Sequence, residues 1–255
     1  MLALSREPNE AADMELSPQL GPQEQFLFSE ADIAIFGGQA GGGKSYGLLL
    51  EATRHIDIPT FQAVIFRREF TEIAAAGGLW DTAREIYPWF GGRPIEGRYL
   101  YRFPSGAKIA FAHMQHEDDR LKWQGSQIPM IGFDELTTFT WRQFSFMLSR
   151  NRSTCGVPPY IRATCNPDPD HFLRQLISWW IDDETGLAIK ERSGVIRYFI
   201  NRDDELHWAD SPDELTAKFK DAIPKSLTFI NSTVFDNRIL MRENPEYLAN
   251  LQALP

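Results

Sequence analysis

The sequence lacks the features that mark secreted or membrane proteins. It contains only two cysteines, Cys155 and Cys165, in 255 residues, too few for a disulfide framework. No apolar run approaches the ~20 residues that cross a bilayer. The acidic N-terminus lacks the apolar segment of a signal peptide. We therefore expect a globular protein with free thiols, located in a reducing cytoplasm and not in a membrane.

Positive charge is also scarce. The chain has 26 Lys and Arg against 35 Asp and Glu, a net charge of −9, so its surface is not basic throughout. A local basic patch can still bind nucleic acid. The hydrophobic fraction of 43% suits one large α/β domain, with or without a small appendage.

A glycine-rich phosphate-binding motif is the strongest signal in the chain. Residues 38–45 match G-x-x-x-x-G-K-[ST], the P-loop. An apolar segment at 33–36 predicts the strand before it, and residues 46–55 predict the helix after it, with its N-terminus towards the phosphates. Lys44 can reach the β- and γ-phosphates, and the Ser45 hydroxyl can ligate Mg²⁺. The pattern predicts binding of ATP and Mg²⁺ by Gly38, Gln39, Ala40, Gly41, Gly42, Gly43, Lys44, Ser45 and Tyr46.

A second apolar strand ends in two carboxylates. Residues 128–133 are followed by Asp134 and Glu135, and the carboxyl ends of strands are where open α/β sheets bind ligands. Asp134 is predicted to hold Mg²⁺, and Glu135 to orient and deprotonate the attacking water. Alone, the pattern fits a strand with an acidic turn equally well. The P-loop about 90 residues earlier makes the pair far more specific.

Strands and helices alternate along the chain, which predicts a doubly wound, mostly parallel sheet covered by helices. A hairpin within residues 99–112 is expected to make the sheet mixed at one edge. We predict a flexible tail at 1–17, a P-loop ATPase core of the ASCE type at 18–205, and a small lid or linker subdomain at 206–255.

Five other residues are weaker candidates. Thr164 and Asn166 end the next strand and can sense the γ-phosphate, although a strand ending in an Asn-Pro turn is the simpler interpretation. Gln23 can present its amide to an adenine edge. Arg150 and Arg152 follow the helix predicted at 140–150, and either can serve as an arginine finger for a neighbouring subunit. The sequence is equally compatible with two arginines that are solvated, or paired with surface acids, and have no catalytic function.

Several basic residues have no settled role. Arg67 and Arg68 can touch DNA phosphates, line the nucleotide pocket or cap a strand. The best local basic cluster surrounds the hairpin and is a candidate for DNA backbone contact, with a solvated hairpin nearly as plausible. It consists of Arg93, Arg98, Arg102 and Lys108.

Together these motifs resemble the ATPase domain of phage large terminase subunits, the motors that package DNA into procapsids. The resemblance covers roughly residues 18–255. Its discriminating parts are the Gly-Ser-Gln run at 125–127 with its spacing to Asp134–Glu135, and the Ala-Thr-Cys-Asn-Pro strand at 163–167. Supporting motifs are Pro22-Gln23, Phe-Arg-Arg-Glu at 66–69, Leu-Ser-Arg-Asn-Arg at 148–152, and Asp236-Asn237 with Asn-Pro-Glu-Tyr-Leu at 244–248.

The resemblance implies roles for several residues. Gln23 matches the adenine-contacting glutamine, and Arg150 or Arg152 matches the trans-acting arginine of part of the family. Residues 164–166 match the motif that couples hydrolysis to movement. Lys44, Ser45, Asp134 and Glu135 match the catalytic ATPase residues.

The resemblance also implies partners and a location. The partners are double-stranded DNA, a portal protein and a small terminase subunit. The active form is a homo-oligomeric ring in the host cell cytoplasm, and a monomer is compatible with the isolated domain. The family usually adds a C-terminal RNase H-like nuclease. Because the sequence stops at Pro255, about where that domain would begin, we expect a motor domain with no nuclease activity.

Two other functions remain open at this stage. The first is a helicase-like or recombinase-like ATPase, from which DNA-stimulated hydrolysis without strand separation would distinguish a packaging motor. The second is a nucleotide-switched assembly protein with little turnover. The presence of both Glu135 and the candidate finger arginines argues against that second function.

Overall fold

The computed structural model describes residues 16–203 and 205–253, so most of the tail predicted at 1–17 lies outside the described residues. The described residues form one ten-stranded sheet in the order β3-β4-β5-β2-β6-β7-β1-β10-β8-β9. The strands are β1 (Ile33–Gly38), β2 (Gln62–Arg67), β3 (Arg93–Ile95), β4 (Leu100–Arg102), β5 (Lys108–His113), β6 (Met130–Phe133), β7 (Tyr160–Cys165), β8 (Ile196–Arg202), β9 (Glu205–Ala209) and β10 (Lys225–Ser232).

Six central strands, from β5 to β10 in the sheet order, run parallel. One strand, β7, separates the P-loop strand β1 from the acid strand β6, and this mostly parallel α/β sheet is the P-loop NTPase fold that the sequence predicts. The predicted β4–β5 hairpin makes one edge antiparallel.

The other edge corrects the prediction, because β8 pairs antiparallel with β10 and β9 pairs antiparallel with β8. The pattern of apolar residues identifies a strand but carries no information about its direction. The sheet is therefore mixed at both edges.

Nine α-helices pack around the sheet: α1 (Pro22–Leu27), α2 (Lys44–Glu51), α3 (Phe70–Ala74), α4 (Leu79–Ile86), α5 (Trp141–Leu148), α6 (Leu173–Ile177), α7 (Pro212–Lys218), α8 (Arg238–Glu243) and α9 (Glu246–Gln252), counted among the described residues. Several are shorter than the sequence predicts. The P-loop helix ends at Glu51 and gives way to turns. The helix that the sequence predicts at 171–181 is limited to α6, which gives way to a 3-10 turn at Ser178–Trp180. None of the described helices is long and apolar enough to cross a bilayer.

The sheet divides the core into two apolar layers, one on each face. One layer includes Phe36, Leu48 and Tyr101, and the other includes Ile131, Phe144 and Trp180. The central strands are buried on both faces, which explains their continuous apolar runs in the sequence.

The predicted boundary at residue 206 falls inside the β8–β9 hairpin. Beyond it, β10 pairs with β1 near the centre of the sheet. A separate C-terminal subdomain stays a prediction, and the sheet topology requires any such unit to begin after Ser232.

Candidate active site

The P-loop joins the end of β1 to the start of α2 through residues that need glycine. Gly38 has a φ of 124°, and a Cβ there would lie 1.9 Å from the Ser232 carbonyl oxygen of neighbouring β10. Gly43 adopts the left-handed conformation immediately before α2. These positive φ angles let the chain turn tightly, so that the loop can surround an anion.

Lys44 lies across the P-loop. Its Nζ donates to the carbonyl oxygens of Gln39 at 2.6 Å and Gly38 at 3.2 Å. Burial lowers the pKa of Lys44, while the carboxylates of Asp134 and Glu135 act in the opposite direction. The loop thus holds a cation at its centre, close to the two acids.

Asp134 links the P-loop to the acid strand. It is fully buried at the end of β6, and its Oδ1 accepts hydrogen bonds from the Ser45 hydroxyl at 2.9 Å and the Thr164 hydroxyl at 2.6 Å. The tips of α2, β6 and β7 therefore meet at one carboxylate. Thr164, a weak candidate in the sequence, belongs to this central contact.

Glu135 has a backbone conformation that is uncommon for its residue type. Its φ of 58° and ψ of 61° lie in the left-handed region, which costs a non-glycine residue roughly 1–2 kcal/mol. Its N–H donates to the Thr164 hydroxyl at 2.9 Å, and its side chain is 40% exposed. Burial raises the pKa of Glu135, while Arg67 lowers it. The carboxylate is thus both accessible and adjacent to the P-loop.

Arg67 is a site residue whose role the sequence alone does not assign. It ends β2, and its Nε donates to Asp134 Oδ2 at 2.7 Å. Its second nitrogen lies 2.8 Å from Glu135 Oε2. The cause is sheet register, because Phe66 lies beside Phe133 in the parallel β2–β6 pair and the next residues are therefore neighbours. One feature of the sequence points to this contact: an arginine ends one apolar strand, and an acid pair ends another.

A cleft of about 320 Å³ opens between these elements. The structure brings most predicted nucleotide-binding residues to its wall, together with Asn237, which the sequence did not single out as a ligand. The lining is Ala40, Gly41, Gly42, Gly43, Lys44, Ser45, Tyr46, Glu135, Thr164, Cys165, Asn166 and Asn237. The Asn237 side chain donates to the Gly41 carbonyl at 2.8 Å. Burial raises the pKa of the Cys165 thiol to about 12, so this cysteine is a packing residue.

Gln23 does not line this cleft. It is 4% exposed, its Nε2 donates to the Gly43 carbonyl at 2.9 Å, and its Oε1 accepts the Gln19 N–H at 2.7 Å. Its amide therefore supports the P-loop from beneath. The adenine contact stays a prediction.

Arg150 and Arg152 lie far from the cleft of their own chain. The Arg150 carbonyl accepts the Ile128 N–H at 3.1 Å, at the start of the acid strand. Six residues at ~3.3 Å each separate Ile128 from Asp134, or roughly 20 Å. Among the described residues neither guanidinium has a carboxylate partner: Arg150 lies over the Phe146 ring, and Arg152 donates to the Ser126 carbonyl.

The oxygen donors around Asp134 fit Mg²⁺. A serine hydroxyl and a carboxylate oxygen are hard ligands of the kind this ion prefers, with phosphate oxygens and water completing the shell. The described residues contain no group of three or more His, Cys, Asp or Glu side chains arranged to hold a metal ion. A site built from Ser45 and Asp134 therefore depends on a bound phosphate for its remaining ligands.

The family model described as terminase large subunit, T4likevirus-type, N-terminal, matches residues 35–255. The chain belongs to this family. No curated protein sequence matches this terminase chain.

Solved structures share its fold at low sequence identity. The large terminase of a thermophilic bacteriophage matches with a TM-score of 0.57 and 15% identity, covering 92% of this chain and 50% of that one. The large terminase ATPase domain of Thermus phage P74-26 matches with a TM-score of 0.54 and 12% identity, covering 92% and 88%. The first of these terminases, in complex with ATP-γ-S, has a TM-score of 0.54 and 14% identity, covering 92% and 49%. The chain thus spans about half the length of the thermophilic phage protein.

Proposed function

We propose that this chain is the ATP-hydrolysing motor domain of a viral DNA-packaging terminase. In this proposal it couples hydrolysis of Mg-ATP to movement of double-stranded DNA into a procapsid. The observation that carries the proposal is the junction at Asp134, where the P-loop serine, the acid pair and Thr164 lie within hydrogen-bond distance. A simple anion-binding loop would not need an exposed carboxylate beside it.

Each residue has a distinct part in the proposed reaction. The P-loop N–H groups and Lys44 bind the phosphates, and Ser45 and Asp134 hold Mg²⁺. When bound, Mg²⁺ neutralises charge on the phosphate oxygens. Glu135 orients the water and accepts its proton.

Arg67 has to release Glu135 for that step, because a carboxylate paired to a guanidinium at 2.8 Å is a weaker base. The same arginine holds Asp134 in place while Glu135 is exposed to the cleft. We infer that its pairing with Glu135 keeps the base inactive until nucleotide binding rearranges the site.

The missing positive charge at the γ-phosphate would come from a neighbouring subunit. Arg150 and Arg152 lie roughly 20 Å from their own acid pair by strand length, a distance that supports action in trans. The proposal therefore includes a ring with shared sites. Contacts with a portal protein and a small terminase subunit are part of the proposal on family grounds, as is a location in the host cytoplasm.

Steady-state ATP hydrolysis against protein concentration tests the proposal. We expect specific activity to rise steeply with concentration, and Arg150→Ala or Arg152→Ala to lower it by roughly 10³–10⁵-fold. Mixing that variant with Glu135→Gln should restore activity, because each supplies what the other lacks at a shared site. Activity linear in protein and indifferent to both arginines would contradict a shared site. Unchanged ATP consumption in Glu135→Gln would instead support a nucleotide-switched protein.

A further inference from the structure

Three basic residues form a row across the outer strands β3, β4 and β5. Arg93 lies directly opposite Arg102, and Arg102 lies directly opposite Lys108. Directly opposed residues point to the same face of a sheet, with Cβ atoms about 4.5–5.5 Å apart. Arg93 and Arg102 are exposed, and Lys108 is partly exposed. We call these three residues the basic row.

The basic row has no acidic partner in the part of the chain that the structure describes. None of its three side chains takes part in an ion pair there. The nearby Glu96 is held by Arg84, with two contacts of 2.8 and 2.7 Å. Like charges placed directly opposite each other destabilise a sheet. This arrangement is therefore unfavourable for folding, in a chain with a net charge of −9.

The other face of the same strands explains why the basic row is fixed in position. Pro94, Tyr101 and Ile109 form the neighbouring row, and Tyr101 and Ile109 are fully buried in the core. Because side chains alternate between faces, burial of Tyr101 and Ile109 holds Arg102 and Lys108 on the opposite face. Pairing of β3 with β4 then places Arg93 beside Arg102. The cations are thus presented by a rigid surface.

We propose that the basic row binds the phosphate backbone of duplex DNA, an inference that rests on the proposed packaging function. The row is about 10 Å long across two strand spacings, and duplex DNA carries one charge per ~1.7 Å of its axis. The strand residues beside the cations on this face are Ile95, Leu100, Ala110 and Ala112, none of them aromatic, and the two alanines pack against the core. Single strands are usually bound by stacking on aromatic rings, so this face suits a duplex.

Salt-dependent binding of a fluorescently labelled, mixed-sequence duplex tests the proposal. Three phosphate contacts predict a slope of about −2.7 for log affinity against log salt, or roughly a 40-fold loss between 50 and 200 mM. The triple variant Arg93→Gln, Arg102→Gln, Lys108→Gln should bring the slope close to zero, and Arg102→Gln alone should give about −1.8.

A matched control separates a local contact from overall charge. Lys190, Lys218 and Lys220 are exposed, and changing all three to Gln alters net charge equally. This control should keep the wild-type slope.

A second control is thermal stability, because Arg102→Gln removes like-charge repulsion and should leave the melting temperature unchanged or raise it. A stability loss that parallels the binding loss would overturn the proposal.

The remaining outcomes separate this inference from the proposed function. A basic-row triple variant that keeps the wild-type salt slope would overturn the inference about DNA binding. The proposal of ATP hydrolysis would still stand. Equal losses in the control triple, tighter binding of single strands than of duplex, or no duplex binding by the wild type at 50 mM salt would also overturn the inference about DNA binding. Absence of ATP hydrolysis in the wild type would overturn the motor proposal but not the salt slope.

Discussion

The sheet has an ion cluster at each end, and the two clusters differ in their exposure to solvent. At the carboxyl ends of the strands, Arg67 pairs with Asp134 and Glu135 beside an open cleft. At the amino ends, Glu51 lies 3.3 Å from Arg162, and their side chains are 1% and 3% exposed. We call the first group, Arg67 with Asp134 and Glu135, the open cluster, and the second, Glu51 with Arg162, the sealed cluster. Access to the cleft suits the open cluster to chemistry, and burial suits the sealed cluster to a structural role.

The sealed cluster joins three parts of the fold. Glu51 ends the P-loop helix, and Arg162 lies on β7, two residues before Thr164. Arg162 also donates to the carbonyl oxygens of Ser29 and Ala31, ahead of β1. It therefore fixes the P-loop helix relative to the strands without contacting the cleft.

Arg162→Met should give the largest stability change. At pH 8, where the Glu51 carboxylate is ionised, removing one partner from this buried ion pair costs about 3–5 kcal/mol, because the other charge is left uncompensated. We expect a loss of this size in urea unfolding, with nucleotide affinity of the folded protein little changed. The double variant with Glu51→Gln should recover part of the loss. A tenfold weaker nucleotide affinity at full stability would show that the sealed cluster serves the site.

Arg67→Ala should cost less, about 2–3 kcal/mol, and Mg-ATP should reverse much of that loss. The variant leaves Asp134 buried without its cation, although the Ser45 and Thr164 hydroxyls still donate to it. Mg²⁺ can then supply the missing charge. The thermal shift caused by Mg-ATP should thus be larger in the variant than in the wild type.

The control for Arg67→Ala is Arg84→Ala, which removes an exposed pair with Glu96. Such pairs contribute about 0–1 kcal/mol, so the Mg-ATP shift should match the wild type. If both variants respond to Mg-ATP equally, Mg²⁺ does not replace the positive charge that Arg67 places beside Asp134.

The sequence predicts one half of the candidate site better than the other. The P-loop and the acid strand are local motifs, so their positions follow from a few neighbouring residues. The Arg67 contacts depend on β2 lying beside β6. The sequence of neither strand specifies which strand becomes its neighbour in the sheet. The remoteness of Arg150 from the cleft was hidden for the same reason.

The fold shows the same limit. Long apolar strands such as β1 and β7 were predicted, whereas the three-residue β3 and the edge strand β9 were missed. These short strands gain their pairing from neighbours, and their composition is not distinctive. The basic row was recognised only as a cluster, since its alignment comes from the register of three strands.

Stability should depend on pH through the sealed cluster. Burial raises the pKa of Glu51 from 4.5 to about 7, against the opposing effect of Arg162 and Arg54. The folded protein therefore binds a proton more tightly than the unfolded chain. This contribution is fully present below pH 4.5 and is lost as pH rises through 7, amounting to roughly 2 kcal/mol between pH 8 and 5.

Chemical unfolding of wild type and Glu51→Gln at pH 8 and pH 5 measures the contribution of Glu51 to the free energy of unfolding. The difference in unfolding free energy between the two pH values should be about 2 kcal/mol smaller in the variant. Equal pH dependence in both proteins would mean that Arg54 and Arg162 keep Glu51 ionised, making the sealed cluster a conventional ion pair.

Thr164→Val should have the smallest effect on stability and should show how far the open cluster depends on neutral contacts. The Thr164 hydroxyl donates to Asp134 and accepts the Glu135 N–H, and valine has nearly the same shape. Loss of these buried bonds should cost about 1–2 kcal/mol. Hydrolysis should fall further than nucleotide binding, because Glu135 loses the contact that supports its left-handed backbone. Thr164→Ser keeps the hydroxyl and should preserve both. If Thr164→Val hydrolyses ATP at the wild-type rate, Arg67 alone is enough to position the acid pair.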